Sequence, residues 1–310
     1  MKKILYFLLI VCGFASCSDD EIPKEELVVE PCLNSEIPCP VIIGEKNEGC
    51  VVNIIFIAEG FTEEELPEFK NLSDTAKSAI LDMEPFASSA QKLNFYRVES
   101  PSKTSGISSI QYTSECNGTT GTNLYKDTPW GVHKNKDGLE RFLGMDESKR
   151  DSLETLFGYY ATGDYAYTII IANSSEYLGG AEFPGLMEHN LNNTPKVSNM
   201  IISKHNGGDF FKYLVRHEFG HSFGDLDDEY VDPTALCSLR EREWFLNSTI
   251  KANILTYNPG TWYEGARYVP TGYWREWQNS IMRTGYYETE FSPIQTMIVE
   301  KRLETAVGCK

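Results

Sequence analysis

The sequence predicts an α+β fold, in which helices cover a sheet and an irregular segment follows. Four stretches are predicted to be strands, at 51–58, 93–99, 165–172 and 197–203, and the first of them is apolar on both faces and rich in β-branched residues, as in a buried strand. Helical periodicity separates several of these stretches, which indicates a sheet covered by helices. Beyond Gly224 the periodicity is lost, and aromatic residues and glycines become frequent.

Three helices are predicted in addition to the one that carries the chemistry. The first ends before Pro85 and has a single apolar face. Its apolar positions are Phe69, Leu72, Ala76 and Ile80. The second covers about 138–160. The third begins after Ser292, because Pro293 and Gln295 complete the pattern of a capped helix start.

Composition and charge exclude two broad classes of protein. The 310 residues carry 28 Lys and Arg against 45 Asp and Glu, a net charge of −17. Such an acidic surface repels phosphate backbones, so nucleic acid is not predicted as a partner. A hydrophobic content of 41% and an aromatic content of 12% exclude a disordered chain.

The N-terminus predicts export and a lipid anchor. Residues 1–16 have a basic start, a short apolar run and small residues at the end, as in a secretory signal peptide. Cys17 follows in a context that resembles a bacterial lipobox, and the acidic cluster after it resembles the surface-export signal of lipoproteins of Bacteroides-like bacteria. Residues 17–48 are predicted to be a tether. We therefore expect a lipid-anchored protein at the outer membrane or cell surface of a Gram-negative bacterium, which meets the membrane through this anchor only.

Six further cysteines lie beyond the predicted anchor. They are Cys32, Cys39, Cys50, Cys116, Cys237 and Cys309. No pair is spaced as CxxC, so no cysteine zinc site is predicted. Six cysteines allow 15 disulfide pairings, and the sequence alone favours none of them.

One helical segment carries a metal-binding pattern. His217 and His221 are four residues apart, so they lie one turn apart on the same face of a helix. This spacing allows two imidazoles to bind one Zn²⁺ ion. Glu218 stands beside them, where a general base would take a proton from a water molecule. The segment therefore predicts a catalytic zinc site.

A zinc ion that keeps one position for water needs a third protein ligand. Gly224 can end the helix in a left-handed conformation, after which the chain turns back and Asp227 reaches the metal. Asp227 is therefore the predicted third ligand. Two alternatives stay open, a Glu on a later helix at Glu241 or Glu243. The neighbouring carboxylates are interpreted as a solvated acidic loop; they are Asp225, Asp228 and Glu229.

The extended motif resembles that of the metzincin clan, with Asp in place of the third His. More narrowly, the chain resembles the IgA-peptidase family of bacterial secreted zinc metallopeptidases. The resemblance rests on segments 55–61, 84–86, 94–98 and 217–230. It implies a zincin-like, metzincin-type fold, with a twisted mixed sheet, backing and active-site helices, and a small irregular C-terminal subdomain. The boundaries implied are 49–224 for the upper catalytic subdomain and 225–310 for the lower one.

The resemblance implies two further site features. Met282 would form a methionine turn, an apolar floor beneath the metal that is not a ligand. Some metzincins place a Tyr two residues after this methionine, where it supports the oxyanion. Thr284 occupies that position here, so Tyr286 or Tyr287 is the candidate for the role.

These observations predict a zinc-dependent endopeptidase that hydrolyses extracellular protein or peptide substrates. A peptide would lie as an extended strand along an upper rim at 173–186. The family name suggests immunoglobulin as the substrate, but no residue pattern encodes its recognition. Two alternatives stay open, a zinc amidase acting on a non-peptide substrate and a catalytically inert, zincin-shaped binding or adhesin lipoprotein.

Overall fold

The computed structural model describes residues 31–114, 118–135, 142–161, 165–181, 196–232, 247–283 and 288–307. It confirms the mixed α+β architecture. The described helices are α1 (Leu66–Leu81), α2 (Glu147–Phe157), α3 (Gly208–Ser222) and α4 (Pro293–Ala306). The strands are β1 (Val41–Ile42), β2 (Val52–Glu59), β3 (Leu93–Val98), β4 (Ser108–Ser109), β5 (Tyr112–Ser114), β6 (Gly118–Thr120), β7 (His133–Lys134), β8 (Leu143–Gly144), β9 (Tyr165–Ala172), β10 (Gly179–Ala181), β11 (Lys196–Ser203), β12 (Tyr263–Ala266) and β13 (Val269–Arg275).

In the part of the chain that the structure describes, the main sheet is mixed and has six strands in the order β1-β3-β2-β9-β11-β10. The four inner strands run parallel, and the two outer strands, β1 and β10, pair antiparallel to their neighbours. The inner strands are mostly buried on both faces because both faces of the sheet are covered, and β2 is accordingly apolar over most of its length. Smaller sheets join β4, β7 and β8, β5 and β6, and β12 and β13.

Two hydrophobic cores cover the two faces of this sheet. One contains the apolar sides of α1, α3 and α4, including Phe69, Phe219 and Val299. The other contains the apolar side of α2 with Trp130. Residue Phe56 of β2 faces the first core and Ile57 the second, because successive side chains of a strand point to opposite faces. Helix α3, which carries the two histidines of the predicted zinc site, is thus packed against the sheet along its length.

The predicted strands agree with β2, β3, β9 and β11 to within one residue at each end. The predicted helix at 138–160 is wrong in its first half, because Leu143–Gly144 forms strand β8 and α2 begins only at Glu147. Asp146 precedes this helix in an extended conformation, which separates the strand from the helix. The last helix begins as predicted, with Ser292 and Gln295 hydrogen-bonded to each other's backbone N–H groups.

The end of the predicted tether lies against the sheet. Strand β1 pairs with β3, and Cys32 and Cys39 form a disulfide whose first cysteine is buried. Cys50 is also disulfide-bonded. The predicted signal peptide and Cys17 lie outside the described residues. No described helix combines the length and the apolar character that a membrane span requires.

A buried carboxylate ends the central strand β2. Glu59 accepts hydrogen bonds from the Thr128 hydroxyl at 2.6 Å and from the backbone N–H groups of Val132 at 2.8 Å and Trp130 at 3.1 Å. Burial raises the pKa of Glu59 to about 7, and the three hydrogen bonds oppose part of that rise. This side chain anchors a long loop to the sheet.

Candidate metal centre

Helix α3 presents the two histidines on its inner face. The apolar positions Leu214, Val215 and Phe219 are buried in the core, which fixes the rotation of the helix about its axis. His217 and His221 lie one turn apart and are each 6% exposed. Their rings are 4.9 Å apart, centroid to centroid.

Three side-chain atoms meet at one point. The Nε2 atoms of His217 and His221 are 3.2 Å apart, and Oδ1 of Asp228 is 3.1 Å from the first and 3.2 Å from the second. Zinc with bonds of about 2.0–2.1 Å in tetrahedral geometry holds its ligand atoms about 3.3 Å apart. Among the described residues, these three side chains are the group of His, Cys, Asp or Glu that could hold a metal ion.

Hydrogen bonds fix the orientation of both imidazoles. Nδ1 of His217 donates to the Ile281 carbonyl oxygen at 2.9 Å, and Nδ1 of His221 donates to the Leu226 carbonyl oxygen at 2.6 Å. The Tyr213 hydroxyl is also 3.0 Å from Nδ1 of His217. Because a carbonyl oxygen only accepts, the neutral imidazole keeps its proton on Nδ1 and presents the Nε2 lone pair to the centre.

The residues fit a bound cation. With both imidazoles neutral and protonated on Nδ1, the buried Oδ1 of Asp228 accepts no hydrogen bond from the part of the chain that the structure describes. This oxygen therefore faces the lone pairs of two imidazole nitrogens, and none of the three atoms carries a hydrogen that it could donate to the others. A buried arrangement of three acceptors is unfavourable unless a positive charge lies among them. A divalent cation supplies that charge and satisfies all three atoms.

The electrostatics of the site agree with this interpretation. When no cation is bound, the Nε2 atoms can carry protons instead. Burial raises the pKa of Asp228, but the charge of protonated His221 and Nε2–H hydrogen bonds from both imidazoles outweigh it and hold the pKa well below its usual range. Burial lowers the pKa of His221, but the carboxylate of Asp228 outweighs it and raises the pKa to about 9. Without a cation, a proton fills the site, so protons and metal ions compete for it.

The structure brings Asp228 to the histidines and not the predicted Asp227. The Asp227 carboxylate instead pairs with Arg267, Oδ2 to Nη1, at 2.5 Å. The interpretation of the neighbouring carboxylates as a solvated acidic loop is wrong for two of them, because Asp228 and Glu229 are 8% and 0% exposed. Glu229 accepts hydrogen bonds from Ser280 and Asn253.

The difference of one residue has a local cause. The left-handed residue after α3 is Asp225, with φ of 56°, and not Gly224 as predicted. The Asp225 N–H donates to the His221 carbonyl oxygen at 3.0 Å, which closes the helix one residue later than expected. Gly224 is needed for space instead, because a Cβ there would lie 2.7 Å from the Gly220 carbonyl oxygen. The chain therefore reaches the metal site one residue later.

The predicted general base lies against the edge strand of the sheet. Glu218 is 7% exposed, on the same helix as the histidines. A Cβ built on Gly179 would lie 2.6 Å from Oε1 of Glu218 and 2.8 Å from Cδ1 of Leu214. Strand β10 thus comes this close to the carboxylate only because residue 179 has no side chain.

Met282 lies under the same helix. It is fully buried, and a Cβ built on Gly220 would lie 2.5 Å from its Sδ atom. The preceding residue, Ile281, supplies the carbonyl that orients His217. A glycine inside a helix costs about 1 kcal/mol relative to alanine. Here it allows the methionine sulfur to pack directly against the helix, one residue before His221.

Two residues of the site were not found from the sequence. The Tyr268 hydroxyl donates to Oδ2 of Asp228, and Arg267 pairs with Asp227. Both follow strand β12 about forty residues after their partners, and no local spacing rule connects them. The alternative ligands Glu241 and Glu243 and the candidate oxyanion residues Tyr286 and Tyr287 lie outside the described residues.

The comparisons with known proteins agree with the resemblance seen in the sequence. A family model described as IgA Peptidase M64 matches residues 44–256, which is more than half of the chain and includes His217, Glu218, His221 and Asp228. No curated protein matches the chain. The chain therefore belongs to the IgA Peptidase M64 family, a family of metallopeptidases.

Proposed function

We propose that the protein is a zinc-dependent endopeptidase that hydrolyses extracellular protein. One observation carries the proposal. The buried Oδ1 atom of Asp228 faces the Nε2 atoms of His217 and His221 at 3.1 and 3.2 Å, with Glu218 on the same helix. A pure binding protein needs the three ligands but has no use for a buried carboxylate beside them.

The ligand set favours zinc over the other common divalent ions. Two imidazoles and one carboxylate suit Zn²⁺, whereas Mg²⁺ and Ca²⁺ prefer sites built from oxygen ligands. Three protein ligands leave a fourth position for water or substrate, as in catalytic zinc sites. A zincin-like, metzincin-type fold is supported by two further features, namely the HExxH helix beside an antiparallel edge strand and Met282 packed against Gly220 of that helix.

The proposed reaction is the hydrolysis of a peptide bond without a covalent intermediate. Bound zinc would supply a Lewis acid that polarises the scissile carbonyl and lowers the pKa of water. Glu218 takes a proton from the attacking water and delivers it to the leaving amine nitrogen. The Ile281 and Leu226 carbonyls hold the two imidazoles in place by their Nδ1–H groups throughout.

The substrate backbone binds along β10 in this proposal. β10 is the last strand of the main sheet among the described residues, and it runs antiparallel to β11. An extended peptide can add to such an edge through main-chain hydrogen bonds. Gly179 would then hold the peptide close to Glu218, because no side chain separates the strand from that carboxylate.

The place of action rests on the N-terminal sequence. In the proposal, residues 1–16 are cleaved and Cys17 carries the lipid that anchors the protein at the cell surface. A Cys17→Ser variant should lose labelling by radioactive palmitate and appear in the soluble fraction. Labelling of that variant at the level of the wild type would refute the anchor but leave the peptidase proposal intact.

The experiment that tests the proposal compares residues 18–310, a soluble form without the lipidated Cys17, with two variants. Glu218→Gln removes the general base, and Glu300→Gln changes an exposed carboxylate on α4 as a control. Zinc is measured by elemental analysis, and cleavage is measured on a panel of extracellular proteins that includes IgA. We expect one zinc in each protein and a loss of about 10²–10⁴-fold in cleavage for Glu218→Gln alone.

Two outcomes would contradict the proposal. Zinc in every protein without cleavage of any polypeptide would favour a non-peptide amidase or a binding protein, which assays on small amides would separate. A wild-type chain without zinc would refute the metal centre itself.

A further inference from the structure

We propose that the two-residue turn Arg267-Tyr268 selects which of two adjacent aspartates becomes the metal ligand. This inference rests on the metal centre of the proposed function. Asp227 and Asp228 have the same chemistry and are neighbours in the chain. The turn binds each of them differently, so that Asp228 faces the histidines and Asp227 does not.

The turn has an unfavourable sequence for its geometry. Ala266 and Val269 pair directly across the hairpin of β12 and β13, so Arg267 and Tyr268 form a two-residue turn. Their φ angles are 52° and 65°, both in the left-handed region. Turns of this kind are ordinarily Asn-Gly or Asp-Gly, because a Cβ is poorly tolerated at positive φ. Residues that adopt such angles despite a side chain often serve a function.

The backbone of the turn docks on the segment that carries the ligand. The Arg267 N–H donates to the Asp228 carbonyl oxygen at 2.9 Å, and the Tyr268 N–H donates to the Tyr230 carbonyl oxygen at 2.9 Å. The Asp232 N–H in turn donates to the Tyr268 carbonyl oxygen at 3.0 Å. These three bonds fix the turn alongside 228–232 as a short stretch of parallel pairing.

Arg267 pairs with the carboxylate of Asp227, which could otherwise compete with Asp228 for the metal. Its guanidinium is 1% exposed and pairs with Oδ2 of Asp227 at 2.5 Å. The same side chain donates to the Ser248 hydroxyl at 2.7 Å. Asp227 also accepts a backbone hydrogen bond from Lys251 at 3.4 Å. Its negative charge is compensated away from the histidines, so turning it toward them would leave a buried arginine without its partner.

Tyr268 orients the ligand itself. Its hydroxyl donates to Oδ2 of Asp228, which leaves Oδ1 as the oxygen that faces both Nε2 atoms. The tyrosine ring is in turn held against Tyr230, with ring centroids 4.8 Å apart. A hydrogen bond to the outer oxygen of a ligating carboxylate fixes its direction, and the loss of such bonds typically lowers metal affinity 10–100-fold. Tyr268 is therefore a positioning residue.

The test uses residues 18–310 with the change Tyr268→Phe, which removes only the hydroxyl. Tyr263→Phe makes the same change at an exposed tyrosine of the same hairpin and is the matched control. Zn²⁺ affinity is measured by competition with a chromophoric chelator. The visible absorption of the Co²⁺-substituted protein reports the geometry around the ion. We expect a 10–100-fold loss of Zn²⁺ affinity and an altered Co²⁺ spectrum for Tyr268→Phe, and neither for Tyr263→Phe.

A second variant separates the role of the side chains from that of the hairpin. Changing Arg267→Asn together with Tyr268→Gly installs a favoured dipeptide for this turn. We expect it to bind Zn²⁺ at least as weakly as Tyr268→Phe. Affinities and Co²⁺ spectra like those of the wild type in either variant would overturn the inference. A His217→Ala control that binds as tightly as the wild type would instead refute the metal centre on which it rests.

Discussion

Replacing Asp228 by asparagine should remove most of the metal affinity, whereas the same change at Asp227 should chiefly reduce stability. The two residues are adjacent, similarly buried and chemically identical, so each variant controls for the other. They differ in what their carboxylates contact. Asp228 faces His217 and His221, and Asp227 faces Arg267.

The expected magnitudes follow from these contacts. Zinc sites with four protein ligands bind with about 10–16 kcal/mol, or about 3 kcal/mol for each ligand. Asp228→Asn should therefore lower Zn²⁺ affinity by about a hundredfold or more. Breaking a buried ion pair costs about 3–5 kcal/mol. We expect about 2 kcal/mol for Asp227→Asn, because the amide oxygen can still accept from Arg267 and the bond to Ser248 stays.

Two measurements on each purified variant separate the effects. Competition with a chelator gives the Zn²⁺ affinity, and denaturant unfolding of the metal-free protein gives the free energy of unfolding. Asp227→Asn should bind Zn²⁺ within about tenfold of the wild type. A hundredfold loss of affinity in Asp227→Asn, with Asp228→Asn unaffected, would mean that the third ligand is Asp227 and that the reasoning from these contacts is incorrect.

Three further changes have expected outcomes. Gly179→Ala should lower kcat about a hundredfold with zinc content unchanged, because the Cβ of the alanine would displace the Glu218 carboxylate. Steady-state kinetics and elemental analysis of zinc will check this. In the wild type, the pKa of Glu59 is about 7 in the folded protein against an ordinary 4.5. Between pH 4.5 and 7, the folded protein therefore keeps a proton on Glu59 that the unfolded chain has released. The free energy of unfolding should fall by about 3 kcal/mol as the pH rises through that window, and Glu59→Gln should lack this part of the slope in denaturant titrations. Removing zinc with a chelator should lower the free energy of unfolding by about 4 kcal/mol relative to protein at a thousandfold excess of free zinc over Kd, as measured by calorimetry.

Each expectation has its own control. Gly180→Ala should keep nearly full activity, because its Cβ would come no closer than 3.4 Å to any other side chain or backbone atom, and an equal loss in both variants would implicate the strand and not Glu218. Parallel slopes in wild type and Glu59→Gln would mean that Glu59 is ionised in the fold across the whole pH range. An unchanged unfolding free energy after chelation would mean that the centre holds no metal in the folded protein.

The sheet and its helices were predictable because the signal is local. The strands β2 and β9 are buried on both faces, so their sequences are nearly continuous apolar runs. Helix α4 is marked by its own capping residues. Helix α2 was predicted too long, because the change from strand β8 to helix depends on pairing with β7, which no local pattern records.

The metal centre depends only in part on features that a local sequence pattern can predict. The spacing of His217 and His221 is a property of one helix, so a segment of five residues suffices to predict it. The third ligand depends on how the chain leaves that helix, and a left-handed Asp225 in place of Gly224 shifts the outcome by one residue. What then holds Asp228 and not Asp227 toward the histidines is a pair of side chains forty residues further along the chain. A motif that counts residues can place a carboxylate near a metal, but the choice between two adjacent carboxylates is made by tertiary contacts.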